Sequence, residues 1–327
     1  MSFWKSKFKQ SKFKQSNAIG GSVNEQVTIG SVTLPNPILT AAGTAGHGAE
    51  LNAYFNLDEL GAVVVKSLSA EEWAGNPAPR VTEIAAGMMN SVGLQNAGIE
   101  HWIAHDLPQL RAANARIVIS IWGFTIESYA LVASKLRGLE GITAVEVNVS
   151  CPNIEDRRHM FAHTESGTTA VIGAVKHEIG EEFPIWAKLS PNVTSVVDIA
   201  GAALSAGANA LTLINTVMGL RIDTETRRPS LGAGGGGMSG PAIRPVAVRA
   251  IYETRKAFPQ APIIGAGGVA HGVDAVELLM AGANAVEVGT ATFYEPAAPR
   301  RVRQELVTWC QDHHIASIDQ LIGAAHV

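Results

Sequence analysis

The chain has 327 residues, 46% of them hydrophobic, and a formal net charge of −4 at pH 7. This length and apolar content suffice for one large buried core, and the acidic balance lacks the basic excess that nucleic-acid binders show. The two cysteines, Cys151 and Cys310, are too few for a disulfide scaffold and lack metal-binding spacing, which favours a reducing, cytoplasmic setting. The sequence contains no run of about 18 apolar residues, so it predicts no transmembrane helix.

Residues 1–24 differ from the rest of the chain in being basic. They contain a direct repeat, 6–10 followed by 11–15, and five lysines precede the first acidic residue, Glu25. We expect a basic, disordered tail over 1–24 and a single domain over 25–327. The alternative for the tail is an aromatic and basic anchor to an anionic membrane surface.

After a predicted β-hairpin at 27–34, strand-like and helical stretches alternate. Apolar and β-branched residues form eight short runs, at 38–43, 62–68, 116–123, 144–151, 185–191, 210–216, 262–268 and 285–292. Apolar residues at helical spacing mark the segments 127–139, 168–179, 195–206, 244–258, 273–281 and 296–313. This alternation predicts an α/β fold, a (β/α)8 TIM barrel with an N-terminal β-hairpin, rather than an open sheet.

The carboxyl ends of the predicted strands carry polar residues. Lys66 closes an apolar run, and within 144–151 valines alternate with Glu146, Asn148 and Ser150. Side chains alternate across a strand, so the polar set is expected to point into the barrel or toward its rim. Enzymes of this fold place their chemistry at this end of the strands, and we expect the functional site there.

Glycine-rich turns follow the last two strands, at Gly267-Gly268 and Gly289-Thr290. Barrels often bind a phosphate at these two turns, because glycine lets backbone N–H groups approach the ligand closely. The alternative is a pair of ordinary tight turns. A third glycine-rich segment, 232–237, matches no phosphate-loop pattern and predicts a mobile connection.

Two lysines interrupt apolar strands. A buried lysine is costly unless it is paired, so Lys66 and Lys188 indicate either a cation beside an anionic cofactor ring or a structural ion pair. Glu146 lies on the strand next to that of Lys188, and Glu287 lies inside the last strand. Both interpretations remain open from the residues alone.

Four asparagines are expected at the same rim: Asn90, Asn148, Asn153 and Asn215. An asparagine amide presents both donors and an acceptor, which suits a small ring with alternating N–H and C=O groups. A single loop asparagine is usually a turn residue. The convergence of four favours a ring-binding site.

Cys151 directly follows the fourth strand and precedes Pro152. A thiol can act as a general base once its surroundings stabilise the thiolate, and the alternative is a small buried residue. Cys310 lies in the last amphipathic segment, where it is expected to pack in the core.

Together these segments resemble the class 1 dihydroorotate dehydrogenase family, most like its NAD-linked (class 1B) catalytic subunit. Residues 148–153, Asn-Val-Ser-Cys-Pro-Asn, resemble the signature loop of the family, and 75–81 with 87–98 are similar to the NAD-linked subgroup. The similarity continues through 188–192, 214–216, 239–241 and both glycine turns. It covers roughly 27–323, nearly the whole chain after the tail.

The resemblance implies FMN-dependent oxidation of dihydroorotate to orotate in pyrimidine biosynthesis. Cys151 would abstract the C5 proton, assisted by Lys66, while a hydride leaves C6 for the flavin. The residues implied for the cofactor are Ala42, Lys66, Ser67, Ser120, Asn148, Lys188, Ile214, Gly240, Gly267, Gly268, Gly289 and Thr290. Those implied for the substrate are Lys66, Asn90, Ser91, Val92, Gly93, Leu94, Asn148, Asn153, Asn215 and Thr216.

The sequence departs from the family pattern in three places. Ala42 stands where the family usually has Ser, Ser120 where the subgroup has Asn, and 154–163 where the subgroup continues Lys-Thr-Gly-Gly. The last segment would cover the site, so the alternative substrate is a different dihydropyrimidine-like ring. His159 and His163 have i,i+4 spacing without a third ligand, so no metal site is expected.

The resemblance also implies partners. They are a small pyrimidine substrate, a second copy in a homodimer, and an iron–sulfur flavoprotein electron-transfer subunit, with no nucleic acid. This chain carries neither a cysteine cluster nor a dinucleotide fingerprint, so NAD would have to be reached through a partner, with fumarate as an alternative acceptor. Two other functions stay open: a flavin-free Schiff-base lyase that uses Lys66 or Lys188, and a non-catalytic barrel that binds a nucleotide-like ligand or a partner.

Overall fold

The fold is given by a computed structural model, which describes residues 22–150, 161–181 and 183–326. In chain order the strands are β1 (Val27–Ile29), β2 (Val32–Leu34), β3 (Ile38–Thr40), β4 (Val63–Val64), β5 (Val81–Ile84), β6 (Gly87–Asn90), β7 (Ile117–Ile121), β8 (Ile142–Asn148), β9 (Ile185–Leu189), β10 (Ala210–Leu213), β11 (Val217–Gly219), β12 (Ile222–Asp223), β13 (Arg228–Pro229), β14 (Gly236–Ser239), β15 (Ile263–Ala266) and β16 (Ala285–Val288). The helices are α1 (Ile99–His105), α2 (Leu107–Ala112), α3 (Ile126–Ser134), α4 (Glu165–Ile179), α5 (Val196–Ser205), α6 (Arg244–Ala257), α7 (Gly272–Ala281), α8 (Ala291–Tyr294) and α9 (Ala298–Asp312).

Eight strands form one parallel sheet in the order β3-β16-β15-β10-β9-β8-β7-β4. The two end strands meet through a parallel bridge between Leu39 and Ala62, with Thr40 N donating to Ala62 O at 3.3 Å. The sheet is therefore closed into a barrel, and helices follow its strands. This confirms the predicted (β/α)8 TIM barrel, and the antiparallel pair β1–β2 confirms the N-terminal hairpin.

The helices begin where the sequence supplies a capping side chain. Thr125, Thr164 and Ser195 each accept a hydrogen bond from a backbone N–H in the first turn of α3, α4 and α5. Such caps satisfy N–H groups that have no partner inside the helix. The barrel strands are buried on both sides, which is why most of them read as largely apolar runs; β8, in which valines alternate with Glu146 and Asn148, is the exception.

A second, smaller sheet is an addition that the sequence did not predict. Strands β11, β14, β6 and β5 pair antiparallel and belong to the connections that follow barrel strands β10 and β4. The expected mobility of 232–237 is wrong for its last two residues, because Gly236 and Gly237 lie in β14. A Cβ atom on Gly237 would come within 2.1 Å of Thr216 Oγ1, so close strand packing explains the glycine.

Element boundaries also differ from the predicted ones. The barrel strands end earlier than expected, and Thr292, predicted to end the last strand, lies in α8. Cys310 is completely buried in α9, which confirms its predicted packing role. Among the described residues, no helix combines the length and the apolar content needed to cross a bilayer.

Candidate active site at the carboxyl end of the barrel

A chain of polar side chains links the carboxyl ends of four barrel strands, β4, β7, β8 and β10. Ser67 Oγ lies 2.9 Å from Ser120 Oγ, and Asn148 Nδ2 lies 3.5 Å from Ser67 Oγ. Asn215 Nδ2 donates to Asn148 Oδ1 at 3.1 Å. The structure thus brings together four of the predicted site residues, three of them almost fully buried: Ser67, Ser120 and Asn148.

Hydrogen bonds with neighbouring residues hold the side chains of Asn148 and Asn215 in place. The Tyr129 hydroxyl donates to Asn148 O at 2.6 Å, and Ser150 N donates to Asn148 Oδ1 at 3.2 Å. The Asn215 side chain accepts from Thr216 N at 2.8 Å, while its own backbone N–H donates to Leu189 O. The amide groups therefore have fixed orientations before any ligand binds, as a binding site requires.

Lys188 lies beside this chain, opposite Asn148 in the register of β8 and β9. Its Nζ is 2.7 Å from Glu287 Oε2 and 3.5 Å from Glu146 Oε1, and both carboxyl groups are fully buried. Burial would lower the pKa of Lys188, but attraction to Glu146 and Glu287 outweighs it and raises the pKa to about 12. Lys188 is therefore an ammonium, and the ion pair expected as one alternative is present.

Three glycine-containing turns lie close together on the other side of the rim. Gly267, Gly268 and Gly240 have φ of 128°, 79° and 90°, and a Cβ built on Gly240 would lie 3.6 Å from Thr290 Cγ2. Within the described part of the chain, the backbone N–H groups of Gly268, Gly289 and Thr290 donate to no protein acceptor. Free N–H groups of this kind suit a phosphate.

Two predicted cofactor residues connect these turns to the polar chain. Ile214 N donates to Ala266 O at 2.9 Å, and a Cβ on Gly267 would lie 3.5 Å from Ile214 Cγ1. On the opposite side, Ala42 precedes Gly43, whose built Cβ lies 3.4 Å from Lys66 Nζ. The segment that follows β3 therefore lies next to Lys66 Nζ.

The predicted substrate loop is braced by side chains that the sequence analysis did not select. Asn76 Nδ2 donates to Ser91 Oγ at 2.8 Å, and Trp73 Nε1 donates to Gly93 O at 2.9 Å. Arg80 Nε donates to Asn76 O at 2.6 Å, and its guanidinium also reaches Gln95. The resemblance of 75–81 to the subgroup was the one feature of the sequence that pointed to these bracing side chains, although it assigned them no role.

The remaining predicted substrate residues belong to the same connection or to the small sheet. Asn90 ends β6, where it pairs with Gly237 of β14. Val92 O accepts from Asn76 N at 3.0 Å, and Leu94 has a positive φ of 62°. The loop therefore presents backbone groups in a fixed, strained conformation.

Cys151 and Asn153 lie outside the described residues, as do 154–160. The described residues on either side are joined, because Ala162 N donates to Val149 O at 3.0 Å. The described residues that flank this segment are thus joined close to Asn148.

These residues fit a flavin mononucleotide. The free N–H groups suit its phosphate, the Lys188 ammonium suits the electron-rich edge of its ring, and the Ser67–Asn148 chain offers donors and acceptors for ring atoms. No cluster of three metal-ligating side chains occurs among the described residues.

The chain is similar to known proteins over most of its length. A family model described as dihydroorotate dehydrogenase matches residues 25–309. The chain is 45% identical over 298 residues to the "Dihydroorotate dehydrogenase B (NAD(+)), catalytic subunit" of Geobacter sp. (strain M21), covering 91% of this chain and 97% of that protein. It is 46% identical over 304 residues to the protein of the same name from Desulforudis audaxviator, covering 93% and 98%.

Proposed function

Because the chain belongs to the dihydroorotate dehydrogenase family, we propose that it oxidises dihydroorotate to orotate in pyrimidine biosynthesis, with FMN as its cofactor. The observation that carries the proposal is the pre-oriented Asn148–Asn215 amide pair, next to a buried ammonium and a set of free backbone N–H groups. When bound, FMN supplies the acceptor for the hydride that leaves C6 of the substrate.

The protein's own part in the reaction is to bind the ring, orient it and accept a proton. Asn90, Asn148, Asn153 and Asn215 donate to and accept from the alternating groups of the ring. Cys151, as a thiolate, takes the C5 proton, and Lys66 assists in holding the substrate ring. Ser91–Leu94 and Thr216 contribute backbone and side-chain contacts.

The cofactor is proposed to lie between the lysines and the glycine turns. Gly240, Gly267, Gly268, Gly289 and Thr290 would hold its phosphate through backbone N–H groups. Ala42, Lys66, Ser67, Ser120, Asn148, Lys188 and Ile214 would surround its ring. The segment after Asn153 differs from the subgroup pattern, so a related dihydropyrimidine ring is the alternative substrate.

A Schiff-base lyase that uses Lys188 is disfavoured by its electrostatics. A lysine nucleophile must lose its proton, and nearby carboxylates raise the pKa of Lys188 to about 12. A purified protein that is colourless and becomes trapped on a carbonyl substrate by borohydride would restore the lyase hypothesis for Lys66.

The relatives are named as catalytic subunits, which supports a partner subunit for this chain. We propose that the partner is an iron–sulfur flavoprotein that passes electrons to NAD, that the barrel forms a homodimer, and that the complex works in the cytoplasm. We also propose that residues 1–24 form a tail and that residues 25–327 form one barrel domain.

The role of Cys151 is tested with Cys151→Ser. A hydroxyl is a much weaker base than a thiolate, so anaerobic reduction of the flavin by dihydroorotate should slow by about 10²- to 10⁴-fold, while FMN stays bound. The matched control is Cys310→Ser, far from the rim, which should reduce the flavin at the wild-type rate. Equal rates in Cys151→Ser and wild type would remove Cys151 from the mechanism.

A further inference from the structure

The barrel interior contains one charged cluster, formed by Glu146, Lys188 and Glu287. These are the only charged residues in the eight barrel strands, and their exposed fractions are 0%, 6% and 1%. The Lys188 ammonium donates to Glu287 Oε2 at 2.7 Å and lies 3.5 Å from Glu146 Oε1. Two carboxyl groups thus share one ammonium with almost no access to water.

The charges of this cluster do not balance if both carboxyl groups are ionised. One ammonium and two carboxylates give a net charge of −1, and an uncompensated buried charge is strongly unfavourable. The strands that flank the cluster add no other ionisable group; Thr212 on β10 contributes a hydroxyl, which donates to Glu146 Oε2 at 3.0 Å. Lys66 follows β4, which lies three strands away from β9 in the sheet.

Two carboxyl oxygens of the cluster lack a hydrogen-bond donor within the described part of the chain. Glu146 Oε1 and Glu287 Oε1 are both buried without a hydrogen-bond partner among the described residues. Charge repulsion from Glu146 and a side-chain hydrogen bond with it both raise the pKa of Glu287. One proton held by either carboxyl group would supply an O–H that donates to the other, as in carboxyl pairs that share a proton.

We propose that the Glu146–Glu287 carboxyl pair retains one proton at neutral pH, so that the cluster with Lys188 carries no net charge. In support, burial and repulsion from Glu146 raise the pKa of Glu287 well above its usual range, and attraction to Lys188 offsets this only in part. The proton belongs to the pair rather than to one residue.

The retained proton would matter for a flavin bound beside Lys188, and this step rests on the proposed flavin function. A second carboxylate next to Lys188 would oppose negative charge on a reduced flavin bound there, whereas a neutral cluster would leave that charge supported by the Lys188 ammonium. Glu146 and Glu287 act on the ring through Lys188, so they are positioning residues rather than catalytic ones.

The first test is infrared spectroscopy of the FMN-free protein at neutral pH. Wild type should show a carbonyl-stretch band of a protonated carboxylic acid, which both Glu146→Gln and Glu287→Gln should lose, because the remaining carboxyl group then ionises beside Lys188. Glu253→Gln, an exposed residue of α6, should keep the band. A wild-type spectrum without a band that these two substitutions remove would overturn the proposal.

The second test is the midpoint potential of bound FMN. Each single glutamine variant leaves the cluster neutral, so its potential should stay near that of wild type, while Glu146→Gln/Glu287→Gln leaves a net positive charge and should raise it. If either single variant already raises the potential by as much as the further step to the double variant, both carboxyl groups are ionised in wild type and the proposal is wrong. A protein that binds no FMN would contradict the proposed function, while the infrared test still decides the protonation.

Discussion

Asparagine side chains lie at both ends of the barrel and have a different role at each end. At the amino ends of the strands, Asn209 Oδ1 accepts from Ile185 N at 2.8 Å, and Asn284 Oδ1 accepts from Ile263 N at 2.9 Å. At the carboxyl ends, Asn148 and Asn215 form the amide pair of the site. The first pair holds strand starts together, while the second is expected to hold a ligand.

This difference gives a prediction at the level of one residue. Asn148→Ala removes the acceptor of Asn215 and a donor to Ser67, so transition-state binding should weaken by about 1–3 kcal/mol, or roughly 5- to 150-fold in kcat/KM. Asn209→Ala is the matched control: it should lower the free energy of unfolding by about 1 kcal/mol and leave kcat/KM unchanged. An equal loss of kcat/KM in both variants would show that the asparagines are equivalent.

For single residues, the sequence was informative where a residue's position along its strand places it at the rim. Lys66, Asn148 and Asn215 could be selected because each ends a strand-like run. The protonation of Glu146 and Glu287 could not be foreseen, because it depends on an ammonium and two carboxyl groups from three strands meeting within hydrogen-bond distance.

At the scale of elements, the small sheet of β5, β6, β14 and β11 carries the substrate loop. Its strands are three or four residues long and contain several glycines, and β14 pairs with β6, which is distant in sequence. Short strands without an alternating apolar pattern give no periodicity signal, which is why the sequence analysis missed them. The barrel strands, in contrast, were found because burial on both sides makes most of them largely apolar.

The hydrogen bond between Asn76 and Ser91, which holds the substrate loop, gives a prediction at the scale of elements. Asn76→Ala removes the hydrogen bond to Ser91 Oγ, so the loop should lose its fixed conformation and KM should rise by about 3- to 10-fold with a smaller change in kcat. Asn76→Asp keeps the size but lacks the amide N–H and should not restore KM. Exposed Asn52→Ala is the control. A wild-type KM in Asn76→Ala would exclude Asn76 as a positioning residue.

At the scale of the whole molecule, alternation of strands and helices was enough to predict the barrel, because only a closed parallel sheet gives every strand two neighbours and two covered faces. The charged cluster inside that barrel gives the folded state a distinct pH dependence. The pKa of Glu287 is higher in the folded state than in the unfolded chain. The stability that its protonated form provides is therefore complete below the unfolded pKa and is lost as the pH rises toward the folded pKa.

Comparison with Glu287→Gln isolates this effect. The free energy of unfolding of wild type, relative to that of the variant, should fall by about 1.4 kcal/mol per pH unit above about pH 4.3, until the folded pKa is reached. The raised pKa of Lys188, about 12, acts only at the alkaline end. Denaturant unfolding at several pH values measures the difference, and a difference that does not change with pH would show that the Glu146–Glu287 pair retains no proton in the folded state.

The central claim, that the site oxidises dihydroorotate through a bound flavin, is tested most directly by anaerobic titration of the purified protein. The account predicts a yellow protein whose flavin absorbance bleaches when dihydroorotate is added, with one orotate formed for each FMN reduced. Flavin that stays oxidised with dihydroorotate, but bleaches with dihydrouracil or a hydantoin, would contradict the claim and assign the site to a different ring.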